Sequence, residues 1–171
     1  MWPNRIPSIF GESPRRGRIF SVDAIDRKIL AELQRNGRIT LTDLAAKVRL
    51  SLSPCHRRLR ELEANGAIRG YRAVVDAAAV GLTFEAIVFV SMNQEDRGTV
   101  SAFEQALTEI PQVVQAQRLF GEPDYLLRVV AADLTAFQRL YDDRLATLPG
   151  VGRLTSTLVM KQIVTDRALP L

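Results

Sequence analysis

Between Phe84 and Val164 the hydrophobic period alternates between two residues and about 3.6, in an order that few folds accommodate. Phe84–Met92 reads as a strand. Thr99–Ile110 reads as a helix with Val100, Phe103, Leu107 and Ile110 inward. Val113–Phe120 and Tyr125–Ala131 are two further strands. Asp133–Leu148 is a helix built on Leu134, Phe137, Leu140, Tyr141, Leu145 and Leu148, stopped by Pro149-Gly150, and Val151–Val164 is a last strand. The order βαββαβ is the ferredoxin-like pattern. Both helices should cover one face of the four-stranded sheet. The first strand, however, is apolar on both faces, with Ala86, Val88 and Val90 on one and Ile87 and Phe89 on the other. A sheet covered once cannot satisfy that pattern, so a second sheet is expected against the open face, making a dimer.

The N-terminal part has helical periodicity only. Ser21 or Asp23 can cap a helix whose Ile25, Ile29, Leu30 and Leu33 form a buried face, ended by Asn36-Gly37. Thr40-Leu41-Thr42-Asp43 is a capping-box pattern, followed by Leu41, Leu44, Ala45 and Val48 at i, i+3, i+4, i+7. Arg49-Leu50 leaves room for a tight turn. A third helix is expected with Ser53 as its cap and Pro54 at the first helical position, carrying Cys55, Leu59 and Leu62 as an apolar stripe. Ser53, His56, Arg57 and Arg60 then point to the other side. Taken alone, this basic helix reads equally as a solvated face. Preceded by a helix and a short turn, it becomes the second helix of a helix-turn-helix, whose serines and N–H groups hold phosphates and whose arginines reach guanine O6 and N7.

These stretches resemble a known family. Asp26-Arg27-Lys28-Ile29-Leu30, Asn36-Gly37-Arg38, Ser51 to Arg60 and Gly66-Ala67-Ile68-Arg69-Gly70-Tyr71 are similar to the Lrp/AsnC family of bacterial and archaeal transcription regulators. Phe120-Gly121-Glu122-Pro123-Asp124-Tyr125-Leu126-Leu127 and Leu148-Pro149-Gly150-Val151 continue the resemblance, which spans about residues 21–165. It implies an α+β chain: an N-terminal, winged-helix-like helix-turn-helix domain and a C-terminal ferredoxin-like domain that senses an effector and drives oligomerisation. The segment 67–76 reads as extended, and the resemblance implies that it pairs with its counterpart in a second subunit, relieving an open strand edge. It further implies that dimers assemble to tetramers or octamers. The expected organisation is a flexible basic tail over 1–20, a DNA-binding domain over 21–70, a strand and linker over 71–82 and the effector domain over 83–165. Arg49 stands where the family has Gly, and Leu52 and His56 also depart from its pattern. No target sequence is therefore carried over.

Charge agrees with this division. Residues 1–72 hold 15 Lys/Arg and 7 Asp/Glu, whereas 73–171 hold 8 and 12. A basic half joined to an acidic one fits double-stranded DNA as the partner of the first. The tail carries Arg15, Arg16 and Arg18, which serve either as a phosphate-contacting arm or as an extension with no role. One cysteine excludes an internal disulfide. No apolar run reaches the roughly 20 residues that span a bilayer, and the N-terminus lacks a signal-peptide core. A cytoplasmic, nucleoid-associated protein is expected.

Catalytic and metal chemistry find little support. The single Cys55 and single His56 are adjacent and diverge by about 100° on a helix, so neither a nucleophile–base pair nor a Cys/His metal cluster can form from them. No cofactor is expected. The best small-molecule candidate is the loop Gly121-Glu122-Pro123-Asp124-Tyr125, with approachable N–H groups for a carboxylate and Asp124 for an ammonium. Turn chemistry alone explains every one of its residues. The resemblance implies instead that this loop contributes to an amino-acid effector pocket, with Asp124 and Tyr125 matching the family's Asp-Tyr. Thr155 and Thr157 match a Thr-x-Thr that also lines it, although strand propensity accounts for them as well. For DNA, the candidate residues are Ser51, Ser53, Pro54, His56, Arg57, Arg58 and Arg60. Two rival functions differ in class: an architectural DNA-packaging protein without an effector, and a small-molecule enzyme whose N-terminal module is only a tether.

Overall fold

The computed structural model describes residues 21–171; the tail expected over 1–20 lies outside the described residues. The described chain forms two compact units, residues 21–72 with 166–171, and residues 73–165.

The first unit is three helices. α1 (Ala24–Arg35) starts at Asp23, whose carboxylate accepts the N–H of Ile25 and Asp26 while the Asp26 carboxylate accepts the Asp23 N–H in return. This reciprocal cap satisfies donors that a helix start leaves free. α2 (Leu41–Val48) is capped by Thr40, whose Oγ1 accepts the Asp43 N–H at 3.1 Å and donates to the Asp43 carboxylate. α3 spans Leu52–Ala64. The apolar stripes meet in a core of Ile29, Leu44, Ala45, Val48, Cys55 and Leu62. Burying a large aliphatic side chain of this kind contributes roughly 1.5–3 kcal/mol. Beyond α3, Gly66 takes a left-handed conformation (φ 74°) and the Ile68 N–H closes onto the Leu62 carbonyl. Residues 71–76 enter no ladder within the chain, and Val74 and Val75 are exposed. Residues 166–171 join this unit through Asp166 to Arg72 (3.6 Å) and through Leu169, whose N–H donates to the Gln34 amide oxygen at 2.6 Å.

The second unit has the βαββαβ order. Its elements are β1 (Phe84–Met92), α4 (Arg97–Thr108), β2 (Val113–Arg118), β3 (Tyr125–Ala131), α5 (Leu134–Leu140) and β4 (Val151–Leu158). The antiparallel sheet runs β2-β3-β1-β4, the ferredoxin-like arrangement. Ala86, Val88, Val90, Leu127 and Val129 share one core with Phe103, Leu107, Phe137 and Leu140, so both helices cover the same face. The opposite face carries Ile87, Phe89 and Leu126, only partly covered within one chain.

Several boundaries differ from those expected. α4 begins two residues earlier, because Asp96 accepts the N–H groups of Gly98 and Thr99 and so caps it. The helix expected over 133–148 leaves α-geometry at Tyr141 and continues as a π-helical turn over Tyr141–Leu145, with the Ala146 N–H donating to the Tyr141 carbonyl. β2 stops at Arg118, because the Leu119 N–H closes a turn onto the Asp124 carbonyl. β4 stops at Leu158 rather than 164, since its register places Leu158 opposite Ala86, close to the start of β1, where the partner strand runs out. Gly150 (φ 71°) lets β4 begin tightly; a Cβ there would collide with Thr99 Cγ2 and Met92 Cε.

Candidate functional site

α3 starts earlier than the sequence indicated. Ser51, not Ser53, is its N-cap residue: its backbone is extended and its carbonyl accepts the Cys55 N–H at 3.2 Å, with no side-chain capping bond. Pro54 therefore occupies the third helical position. It is tolerated because first-turn N–H groups have no partner within the helix. Ser51 and Ser53 keep exposed side chains free of capping duty, and His56, Arg57 and Arg60 are exposed as well, while Pro54 is half-buried.

Arg57 and Arg60 are only loosely restrained. Arg57 Nη1 lies 3.4 Å from Glu61 and Arg60 Nη1 3.9 Å from Glu63, both pairs facing water. Exposed pairs of this kind contribute about 0–1 kcal/mol and yield readily to a stronger anion.

Arg58 is placed differently. Its Nη1 donates to Asp23 Oδ2 at 2.7 Å and Asp26 Oδ1 at 2.8 Å, and Asp26 is buried. The guanidinium pKa is raised, chiefly by its bond to Asp26 and then by Asp23. The Asp23 carboxyl is lowered, first by the Asp26 N–H and then by Arg58. Arg58 thus joins α3 to the start of α1 and does not share the outer face with Arg57 and Arg60. A sequence signal for this existed: Arg58 falls three residues after Cys55 and four before Leu62, on the buried stripe. Arg58→Ala is expected to cost the unit about 3 kcal/mol, because it strands the buried Asp26 carboxylate. Denaturant unfolding of the full chain measures this. A loss below about 0.5 kcal/mol would show that the triad contributes nothing.

The turn between α2 and α3 also carries information. Arg49 sits at φ 58°, ψ 45°, the left-handed region, with its N–H on the Ala45 and Ala46 carbonyls. For side chains other than glycine this conformation costs about 1–2 kcal/mol. Arg49→Gly is therefore expected to stabilise the chain by about 1 kcal/mol, read as a higher denaturation midpoint at unchanged slope.

The loop 121–125 is fastened to β1. The Asp124 N–H donates to the Val90 carbonyl at 2.9 Å, and its carboxylate accepts the Met92 N–H at 2.7 Å. Gly121 is at φ 112°, and Glu122–Pro123 is cis. Gly121 and Glu122 are exposed, Pro123 and Asp124 half-buried. Asp124 thus holds one oxygen on the backbone and retains acceptor capacity on a half-buried carboxylate. Tyr125 faces the other way. Its ring is buried 4.7 Å from that of Phe103, and its hydroxyl donates to Glu104 at 2.9 Å. Burial, then Glu104, pushes that hydroxyl's pKa up to about 12. Tyr125 thus anchors the end of the loop to the core. Thr155 and Thr157 pair with Phe89 and Ile87 on the open sheet face, and both are exposed. No hydrogen bond joins them to the loop among the described residues. On the same face Arg128 makes a two-pronged bond to Glu85 (2.8 and 3.0 Å), which lowers the Glu85 pKa. Sequence reasoning passes over this pair because its members lie 43 residues apart.

A helix-turn-helix reader followed by an α+β unit with a pinned, half-exposed loop defines a two-unit DNA-binding regulator. The winged helix-turn-helix DNA-binding profile matches residues 22–69, and the Lrp/AsnC ligand binding domain profile matches residues 85–169. The chain is 39% identical over 142 residues to a leucine-responsive regulatory protein of Rhizobium meliloti, covering 83% of this chain and 91% of that one. It is 37% identical to the Bkd operon transcriptional regulator of Pseudomonas aeruginosa, covering 88% and 98%. Among solved structures it is similar to a transcriptional regulator of Neisseria meningitidis in complex with L-methionine. There the TM-score is 0.83 at 37% identity, covering 88% of this chain and 97% of that one. A feast or famine regulatory protein of M. tuberculosis complexed with L-methionine matches with TM-score 0.77 at 32% identity, covering 86% and 97%. The chain belongs to the Lrp/AsnC family and is a transcriptional regulator of that type. Among the described residues no helix is long and apolar enough to cross a membrane.

Proposed function

We propose that the outer face of α3 reads double-stranded DNA through Arg57, Arg60, His56, Ser51 and Ser53, and that the 121–125 loop senses an amino acid. Arg57 and Arg60 exchange weak, solvated glutamate partners for phosphate or guanine edges, while Arg58 and Pro54 set the helix rather than touch bases. The effector's ammonium meets the Asp124 carboxylate, and its carboxylate meets loop N–H groups near Gly121. Thr155 and Thr157 complete the pocket only if assembly brings another sheet or loop against the open face. The two L-methionine complexes among similar structures support an amino-acid effector for this chain.

The observation that carries this reading is the separation of roles on α3: Arg58 is held by Asp23 and the buried Asp26, whereas Arg57 and Arg60 on the opposite side meet only loosely held glutamates of their own helix. The open sheet face with Ile87, Phe89 and Leu126 supports a dimer closed by a second copy, with further assembly into tetramers or octamers. A dimer presents two readers. Protection of DNA upstream of the gene should therefore appear as two half-sites separated by one or more helical turns. A single protected stretch without that spacing would contradict the dimeric reader. A regulator of this kind acts in the cytoplasm, on the nucleoid.

A further inference from the structure

α1 and the C-terminal end of α2 enclose a second charged feature, a cleft of about 470 Å³. Lys28, Glu32 and Arg35 line it at i, i+4, i+7 of α1, and Lys47 and Arg49 line it from α2 and the turn. Glu32 is fully engaged: it accepts from Lys47 Nζ at 2.8 Å and from Arg35 Nη1 at 2.7 Å, and Lys47 foremost lowers its pKa. Lys28 and Arg49 have no carboxylate partner among the described residues. Four cations thus surround one carboxylate, an excess of three positive charges in one cleft. Arg49 also holds its strained left-handed backbone there. Such strain in a non-glycine residue is retained where the side chain is of use.

We propose that this cleft holds the phosphodiester backbone of the DNA duplex, outside the groove entered by α3. The inference rests on the reading of α3 for where the duplex lies. The lining selects the occupant. Its cations are all exposed, and in water an isolated ion gains only about 1 kcal/mol from such a charge. A duplex gains at every neutralised phosphate through release of condensed counterions. Placed outside the groove, these lysines and arginines meet phosphate oxygens and no base edge, so the cleft positions the duplex and carries no sequence information.

The test uses the full chain with Lys28→Ala combined with Arg49→Gly. This pair removes both unpartnered cations, leaves the Glu32 bridges and suits the backbone at position 49. Affinity for an upstream duplex and for an unrelated duplex of equal length is measured against salt. The expected result is a shallower dependence of log K on log salt, by about 1.8 per bound subunit on both duplexes, with their affinity ratio unchanged. Two phosphates whose ethylation blocks wild-type binding should cease to matter. Arg139→Ala with Lys161→Ala, removing equal charge from the other unit, should leave the slope in place. An unchanged slope in the cleft variant, or an equal change in that control, overturns the proposal. So does a thermal shift with inorganic pyrophosphate that the cleft variant abolishes while its DNA slope stays intact, since the cleft would then belong to a free polyphosphate. Arg57→Ala with Arg60→Ala is run alongside: if it collapses the affinity ratio and the cleft variant does nothing, the cleft proposal alone fails. If neither variant matters, the reading of α3 fails with it.

Discussion

Arg57→Ala combined with Arg60→Ala is expected to weaken binding to the upstream site at least about 30-fold, and to bring it close to binding of unrelated DNA. A well-made arginine bond to a base edge contributes about 1–3 kcal/mol of discrimination, and tenfold in affinity is about 1.4 kcal/mol. Removing both arginines together therefore spans roughly 30-fold to about 20,000-fold. Folding should be preserved. Both arginines are exposed, and their glutamate partners lie at 3.4 and 3.9 Å on the same helix, so removing them should move stability by less than about 0.5 kcal/mol. This contrast separates them from Arg58, whose replacement is expected to appear first as instability. Titration of a labelled upstream duplex at fixed salt, paired with a denaturation curve, reads both quantities. Unchanged discrimination with intact folding would remove Arg57 and Arg60 from the reading surface.

The second large effect is expected at Asp124. The carboxylate has two tasks: one oxygen accepts the Met92 N–H at 2.7 Å, and its charge is assigned to the effector's ammonium. Asp124→Asn keeps an acceptor for Met92 and removes the charge. Charged hydrogen bonds contribute about 1.5–3 kcal/mol, so the amino-acid concentration needed for a response should rise about 10- to 100-fold. Basal DNA binding should stay within about twofold. Asp124→Ala should additionally loosen the loop, because the Met92 N–H loses its partner. A response to amino acids that survives Asp124→Asn unchanged would move the ammonium site elsewhere.

Acid should act on stability through two other carboxylates. Asp23 is held below the usual carboxylate range by the Asp26 N–H and Arg58, and Glu85 by Arg128. A depressed folded-state pKa gives stability that is present above the unfolded value and lost as pH falls through the folded one. Their ordinary values are 3.8 and 4.5. The contribution should therefore be intact at neutral pH and disappear below those values, and Glu85→Gln should flatten part of that decline in a pH series of denaturation midpoints.

Much of the fold is legible in the sequence because it is local. The short apolar run of Phe84–Met92 and the period near 3.6 in α1, α2 and α4 depend on neighbours within one strand or one turn, so element types and order follow directly. The double-sided apolar pattern of β1 likewise indicates an open sheet face from the residues alone. Boundaries are less legible, since they depend on partners distant in the chain: β4 ends because β1 does, and β2 ends because Leu119 meets Asp124. The start of α3 is misplaced by sequence reasoning because Pro54 suits two positions of a first turn equally well. Arg58 resembles its basic neighbours until Asp23 and Asp26, more than 30 residues earlier, are set against it. The role of Tyr125 is hidden for the same reason, its hydroxyl partner Glu104 lying 21 residues away. The cleft at Lys28 and Arg49 draws on two helices and has no signature of its own.

The measurement that bears most directly on the central claim is a titration of the protein onto its own upstream DNA, with and without a pool of the twenty amino acids. The expected result is a saturable site whose affinity or stoichiometry shifts with the pool, and splitting the pool then names the effector. Binding that ignores both the DNA sequence and the pool would contradict the claim, leaving a DNA-coating protein in which the 121–125 loop is only a turn.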